Sequence, residues 1–134
     1  MTANPLHRLL IVDDEDDLVF LMAIAAENTG RFVVEKAHNG KDGLAKALRF
    51  RPDVAVIDGV MPAMDGFELC RRLRADDRTK SLPIVILSAL EPRSGEARAI
   101  AAGADRYVRK PYDQDELNDL LLSLCRRGKK KPAA

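Results

Sequence analysis

The side chains in this chain that could do chemistry stand directly behind short apolar runs. Residues 11–17 read IVDDEDD, so Asp13, Asp14, Glu15, Asp16 and Asp17 come after two β-branched residues with no neutral spacer. Asp58 closes VAVID, Ser88 closes IVILS, and Lys110 comes after YVR and precedes Pro111. Crowded carboxylates are costly unless a cation sits among them. Oxygen donors with no Cys or His beside them suit a hard ion, Mg²⁺, with Mn²⁺ or Ca²⁺ as alternatives. Mg²⁺ takes one or two carboxylates and keeps its waters, which leaves a further carboxylate free as a nucleophile. A lysine ammonium and a serine hydroxyl facing the same spot would hold the oxygens of a transferred phosphoryl group. Phosphoryl transfer asks mainly for positioning and charge neutralisation, and Asp13, Asp14, Asp58, Ser88 and Lys110 offer both.

The elements that must bring these residues together are legible as alternating patterns. LLIV (9–12), FVV (32–34), VAVI (54–57) and IVIL (84–87) are strand candidates, and YV (107–108) is a weaker fifth. Continuous rather than alternating runs fit strands covered on both faces of a parallel sheet. Between them lie helical repeats: Leu18, Leu21, Met22 and Ala25; Leu44, Ala47 and Leu48; Phe67, Cys70 and Leu73. The last helix carries the cleanest stripe, Leu117, Leu120, Leu121, Leu124 and Cys125. Asn39-Gly40, Arg51-Pro52-Asp53, Pro62, Leu82-Pro83 and Gly103 punctuate the gaps. The order is β-α five times over, and right-handed crossovers then give an α/β fold with a doubly wound, five-stranded parallel sheet. Ligands of such sheets bind at the carboxyl ends of the strands, where the five residues above would converge.

Composition sets the frame. A chain of 134 residues, 46% hydrophobic and 32% charged, suits one domain with a real core. Its 22 Lys and Arg against 21 Asp and Glu leave a net charge of +1, giving no global attraction to nucleic acid or anionic membrane. Direct nucleic-acid binding and membrane association are therefore not expected. Cys70 and Cys125 are too few for a disulfide framework and read as small buried hydrophobes. The N-terminal apolar stretch is too short for a signal peptide or a membrane span, so a cytoplasmic protein is expected. The run RRGKKK (126–131) has no core-forming capacity. The expected domain occupies residues 1–127, with 128–134 a disordered basic tail.

The strings IVDDEDD, VAVIDGVMPAMDGFE, VILSA and GADRYVRKPY, in that order and each at a strand end, resemble the receiver domain of two-component response regulators. The resemblance runs from about His7 to near Arg126. It implies the flavodoxin-like (βα)5 receiver fold and a phosphorylation-dependent switch in a phosphorelay, not a turnover enzyme. Asp58 matches the aspartate that accepts a phosphoryl group from a sensor histidine kinase or histidine phosphotransfer protein. Asp13 and Asp14 match the acidic pair that binds Mg²⁺ together with Asp58, and the backbone carbonyl of Val60 matches a further ligand. Ser88 matches the switch hydroxyl, Tyr107 the aromatic that moves with it, and Lys110 the phosphate-contacting lysine; the Lys110-Pro111 bond is cis in such proteins. Val60 and Leu90 stand where side chains flank the phosphoryl site, and as apolar residues they cannot orient an attacking water.

Other residues read more plainly. Glu15, Asp16 and Asp17 suit the first turn of a helix, where carboxylates favour the positive dipole end, and Asp65 reads as a helix-start residue. The fourth helix, about 93–102, has Ser94, Gly95 and several alanines with Ile100 as its one large apolar residue, so loose attachment is expected. That helix, Tyr107 and the last helix are the expected output face, contacting a downstream protein as a monomer or a phosphorylation-dependent dimer. No effector domain is expected within the chain, which fits a stand-alone regulator or the receiver of a larger regulator or hybrid kinase. An aspartyl-phosphate phosphatase would want an acid two residues after Asp58, where Val60 stands. A flavin carrier would want a glycine- and hydroxyl-rich phosphate loop after the first strand, where DDEDD stands. A phosphorylation-dead scaffold is the remaining alternative, and the intact residue set argues against it.

Overall fold

A computed structural model describes residues 6–129. Along them run β1 (His7–Val12), α1 (Asp16–Glu27), β2 (Phe32–Ala37), α2 (Gly40–Phe50), β3 (Val54–Asp58), α3 (Gly66–Ala75), β4 (Ile84–Ser88), α4 (Pro92–Ala102), β5 (Arg106–Arg109) and α5 (Gln114–Lys129). The strands form one parallel sheet in the order β2-β1-β3-β4-β5. The doubly wound fold read from the sequence is the fold observed.

The period-2 geometry of each strand explains why the apolar runs are continuous. Leu9, Ile11, Val54, Val56, Val85 and Leu87 face one core, which α1 and α5 cover. Leu10, Val12, Ala55, Ile57, Ile84 and Ile86 face the other, under α2, α3 and α4. Every one of these twelve residues is at most 1% exposed, so both faces of the central strands are sealed. Register then sets the site. Val12 stands opposite Ile57, Asp58 opposite Leu87, and Ser88 opposite Arg109. Asp13 and Lys110, each one residue past its strand, thus emerge on the rim that carries Asp58 and Ser88.

The two edge strands are longer than their apolar residues. β2 continues from Val34 through Glu35 and Lys36, and β5 includes Arg106 and Arg109, because an edge strand has an open side where charge is welcome. Helix α1 departs from its expected face. Its buried residues are Val19, Met22, Ala23 and Ala26, whereas Leu21 is 62% exposed and Leu18 and Ala25 are half-buried. Residues 18–26 are all apolar, so a second stripe with the same spacing was available and packing selected it.

The α5 stripe holds: Leu117, Leu121, Leu124 and Cys125 are buried. This helix runs on to Lys129, past the expected domain boundary at 127, and residues 130–134 of the basic tail lie outside the described residues. Helix α4 begins at Pro92 in the N1 position and is capped by Gly103 at φ 97°. It buries only Gly95, Ala99 and Ala102, and Ile100 is 67% exposed. Cys70 and Cys125 are both buried, and burial pushes the Cys70 thiol up to about 11.

Candidate functional site

Each site residue is delivered by a strand end and held in place by the loop or helix next in the chain. The Asp13 backbone N–H extends the ladder to Ala37 (3.1 Å), and its Oδ1 accepts the Glu15 N–H at 2.9 Å, which fixes the side chain where α1 begins. Glu15 occupies the N-cap position, and Asp16 and Asp17 lie in the first turn. Asp16 pairs with His38 at 2.8 Å. Asp58 ends β3, after which Gly59 donates to the Leu87 carbonyl (2.7 Å) and accepts from the Gly66 N–H (3.0 Å). Asp65, a helix-start residue as expected, caps α3 by accepting the Glu68 N–H at 2.9 Å.

Asp13 and Asp58 are 2% and 7% exposed, and Asp14 is exposed beside them. One carboxylate oxygen from each lies within 4.8 Å of the others. Lys110 Nζ donates to Asp58 Oδ1 at 2.9 Å and stands 3.9 Å from Asp13 Oδ2. Burial raises the Asp13 carboxyl to about 6, the charges of Asp58 and Asp14 add to this, and the Glu15 N–H and Lys110 oppose it. Burial also raises Asp58 against the hydrogen bond and charge of Lys110. Burial alone would lower Lys110, but its bond to Asp58 and the surrounding carboxylates hold it above the usual ammonium range.

One lysine among three carboxylates leaves the cluster short of positive charge. Asp13 Oδ2 is buried with no hydrogen-bond partner, which is expensive unless a cation coordinates it. An all-oxygen donor set of two buried carboxylates and one exposed carboxylate fits a hard divalent ion that keeps waters.

The remaining predicted residues lie on β4, β5 and the loop after β3. Ser88 is 1% exposed; its carbonyl accepts the Lys110 N–H at 2.9 Å, and its Oγ accepts the Leu90 N–H at 3.1 Å. Tyr107 is half-buried and its hydroxyl donates to the Leu90 carbonyl at 2.7 Å, with the Ser88 carbonyl at 3.3 Å. Val60 sits in the β3–α3 loop with its side chain 61% exposed. The Lys110–Pro111 peptide is cis.

Two residues that build the site went unread. A Cβ on Gly66 would lie 2.1 Å from the Asp58 carbonyl oxygen, so only glycine lets α3 start against the backbone of Asp58. The available signal was a glycine directly after an N-cap aspartate, a place where helices do not need one. Arg98 of α4 lies over the Phe67 ring at 4.1 Å and 3.6 Å from Asp65 Oδ2, which ties α4 to the far end of the loop leaving Asp58. A lone exposed arginine carries no such signal in sequence.

The profile of the response regulator receiver domain matches residues 9–122, and the chain belongs to that family. It is 36% identical over 127 residues to the DNA-binding dual master transcriptional regulator RpaA of Synechocystis sp., covering 95% of this chain and 52% of that protein. To the phosphate regulon transcriptional regulatory protein PhoB of Rhizobium meliloti it is 36% identical over 124 residues, 92% of this chain and 54% of that one. The chain thus spans about half the length of these relatives. Among solved structures it resembles the signal receiver domain of a signal transduction histidine kinase from Syntrophus aciditrophicus, with TM-score 0.84, 29% identity and 96% of each chain covered. A CheY-like receiver domain protein from Methanospirillum hungatei gives TM-score 0.86 at 25% identity, over 96% of this chain and 100% of that one. Receiver domains are signalling domains of two-component phosphorelays, and neither an aspartyl-phosphate phosphatase nor an inert scaffold is favoured by this membership. Among the described residues, no helix is long and apolar enough to cross a membrane.

Proposed function

We propose that this chain is a phosphoaspartate switch in which Asp58 accepts a phosphoryl group from a phosphohistidine on a sensor histidine kinase or histidine phosphotransfer protein. The observation that carries this reading is the rim cluster itself: Asp58 bonded to Lys110 at 2.9 Å, beside a buried Asp13 oxygen that has no hydrogen-bond partner. Lys110 holds Asp58 Oδ1, which leaves Oδ2 to attack phosphorus as the P–N bond to the donor imidazole breaks. Asp13, Asp14, Asp58 and the Val60 carbonyl would hold Mg²⁺, and Mn²⁺ suits the same donors. Bound there, such an ion would supply positive charge that offsets the charge of the transferred group. Lys110 then contacts the phosphoryl oxygens, and the Ser88 hydroxyl, whose oxygen accepts the Leu90 N–H, donates a hydrogen bond to one of them.

On this reading the chain promotes only its own phosphorylation and dephosphorylation. The water that would cleave the acyl phosphate meets an apolar surround from Val60 and Leu90. Self-dephosphorylation is therefore slow, with a phospho-Asp58 lifetime of minutes or more without a phosphatase; a lifetime of seconds would contradict this. Helix α4, strand β5 and helix α5 form the output face toward a downstream protein, in the cytoplasm, as a monomer or a phosphorylation-dependent dimer. Beryllofluoride, a stable stand-in for the phosphoryl group, should bind saturably in the presence of Mg²⁺ when monitored by fluorine NMR. Asp58→Asn should abolish that signal, and binding that survives this substitution would refute the assignment.

A further inference from the structure

Helix α4 carries a glycine in its second turn, where alanine would ordinarily be better by about fivefold in the folding equilibrium. Its φ is unremarkable, so no left-handed turn requires it. The reason lies across the helix. A Cβ on Gly95 would stand 2.2 Å from Tyr107 Oη, 2.3 Å from Cζ and 2.8 Å from Cε1, and these are the three nearest atoms outside the helix's own backbone. No real Cβ tolerates such distances. Tyr107 therefore lies in a seat that exists only because residue 95 has no side chain.

The geometry points to Gly95 as the positioning residue that lets Tyr107 seat under α4 and thereby holds the loop of the switch hydroxyl. In the seat, the Tyr107 hydroxyl bonds the Leu90 carbonyl at 2.7 Å, and the Leu90 N–H bonds Ser88 Oγ at 3.1 Å. One ring position thus joins α4 to Ser88, directly at its carbonyl (3.3 Å) and through Leu90 at its hydroxyl. Filling residue 95 ejects the ring, frees the Leu90 carbonyl and loosens the 88–90 loop. The link from seat to phosphoryl binding rests on the reading of Asp58 and Ser88 given above, whereas the seat itself does not.

A double-substitution cycle on the full chain tests both parts. Gly95→Ala alone should lower the folding equilibrium constant at least about tenfold in urea denaturation. In a Tyr107→Ala background the same change should instead raise it about fivefold, because only the helical preference for alanine remains. Should G95A fail to fold, a folded G95A/Y107A double variant makes the same point. An unfolded double variant, or an equal loss in both backgrounds, overturns the seat. The ring is monitored by fluorotyrosine NMR in Tyr112→Phe chains: G95A should move the Tyr107 resonance, and an unmoved resonance also overturns the seat. For the coupling, G95A and Y107A should each weaken Mg²⁺-dependent beryllofluoride binding about tenfold, with no further loss in the double variant. Unchanged affinity in a G95A chain whose ring has moved refutes the coupling. If the unsubstituted chain binds no beryllofluoride while the sign of the stability effect reverses as stated, the Asp58 reading fails and the seat stands.

Discussion

Asp13, a proposed metal ligand, shows what a buried carboxylate costs a fold. It is 2% exposed, and its carboxyl is raised from 3.8 to about 6, chiefly by burial. A raised carboxyl binds its proton more tightly in the folded chain than in the unfolded one. Its contribution to stability is therefore complete below about pH 4 and is lost as the pH climbs through about 6. At 1.36 kcal/mol per unit the loss amounts to about 3 kcal/mol in the metal-free chain. In EDTA, the wild type measured against Asp13→Asn by urea denaturation should lose that much between pH 4 and pH 7. Mg²⁺ at neutral pH should restore it in the wild type and not in the variant. A difference that grows in favour of the wild type as the pH rises in EDTA would contradict this. Asp17→Ala should leave Mg²⁺ binding nearly unchanged, since Asp17 belongs to the first turn of α1. The division of IVDDEDD into two rim carboxylates and three helix-start residues was legible because the end of an apolar run marks where a strand delivers its side chains. The buried Asp13 oxygen without a hydrogen-bond partner was not, since burial and partner geometry arise only when three strands meet.

At the scale of elements, the strands and α5 were readable and α1 was readable only in its existence. Where apolar and polar residues alternate at helical spacing, as in α5, the pattern itself selects the buried face. Where nine successive residues are apolar, several stripes satisfy the same period, and the sheet chooses. The exposed Leu21 then stands with Leu18 and Ala25 on a groove that Ala89, Pro111 and Tyr112 share, at the edge of the Lys110 site. Helix α4 was expected to be loosely held, and its packing bears on that through particular contacts. It buries three small residues, and its larger attachments are Arg98 on Phe67 and Asp65 and the seat for Tyr107. Amides of residues 93–102 should exchange faster than those of β3 and β4 and should change their protection when beryllofluoride and Mg²⁺ are added. Exchange as slow as the sheet's and unaltered by the analogue would remove α4 from the output face.

At the scale of the whole molecule, a sheet sealed on both faces presents its chemistry at its carboxyl edge. Twelve side chains at most 1% exposed pin β1, β3 and β4 in register and so fix the rim that bears Asp13, Asp58 and Ser88. The proposed output face, on α4 and the edge strand β5, lies to one side of it. This is why fold and site were both accessible from sequence: the apolar runs that define the strands also mark the residues at their ends. What could not be read, the Gly66 approach, the Arg98 clasp and the Gly95 seat, depends on close contacts between elements far apart in the chain. The most direct test of the central claim is intact mass after incubation with acetyl phosphate, with and without Mg²⁺, for the wild type and Asp58→Asn. The predicted result is a single added phosphoryl group that requires Mg²⁺ and Asp58. An unlabelled wild type, or label that persists in Asp58→Asn, would contradict it.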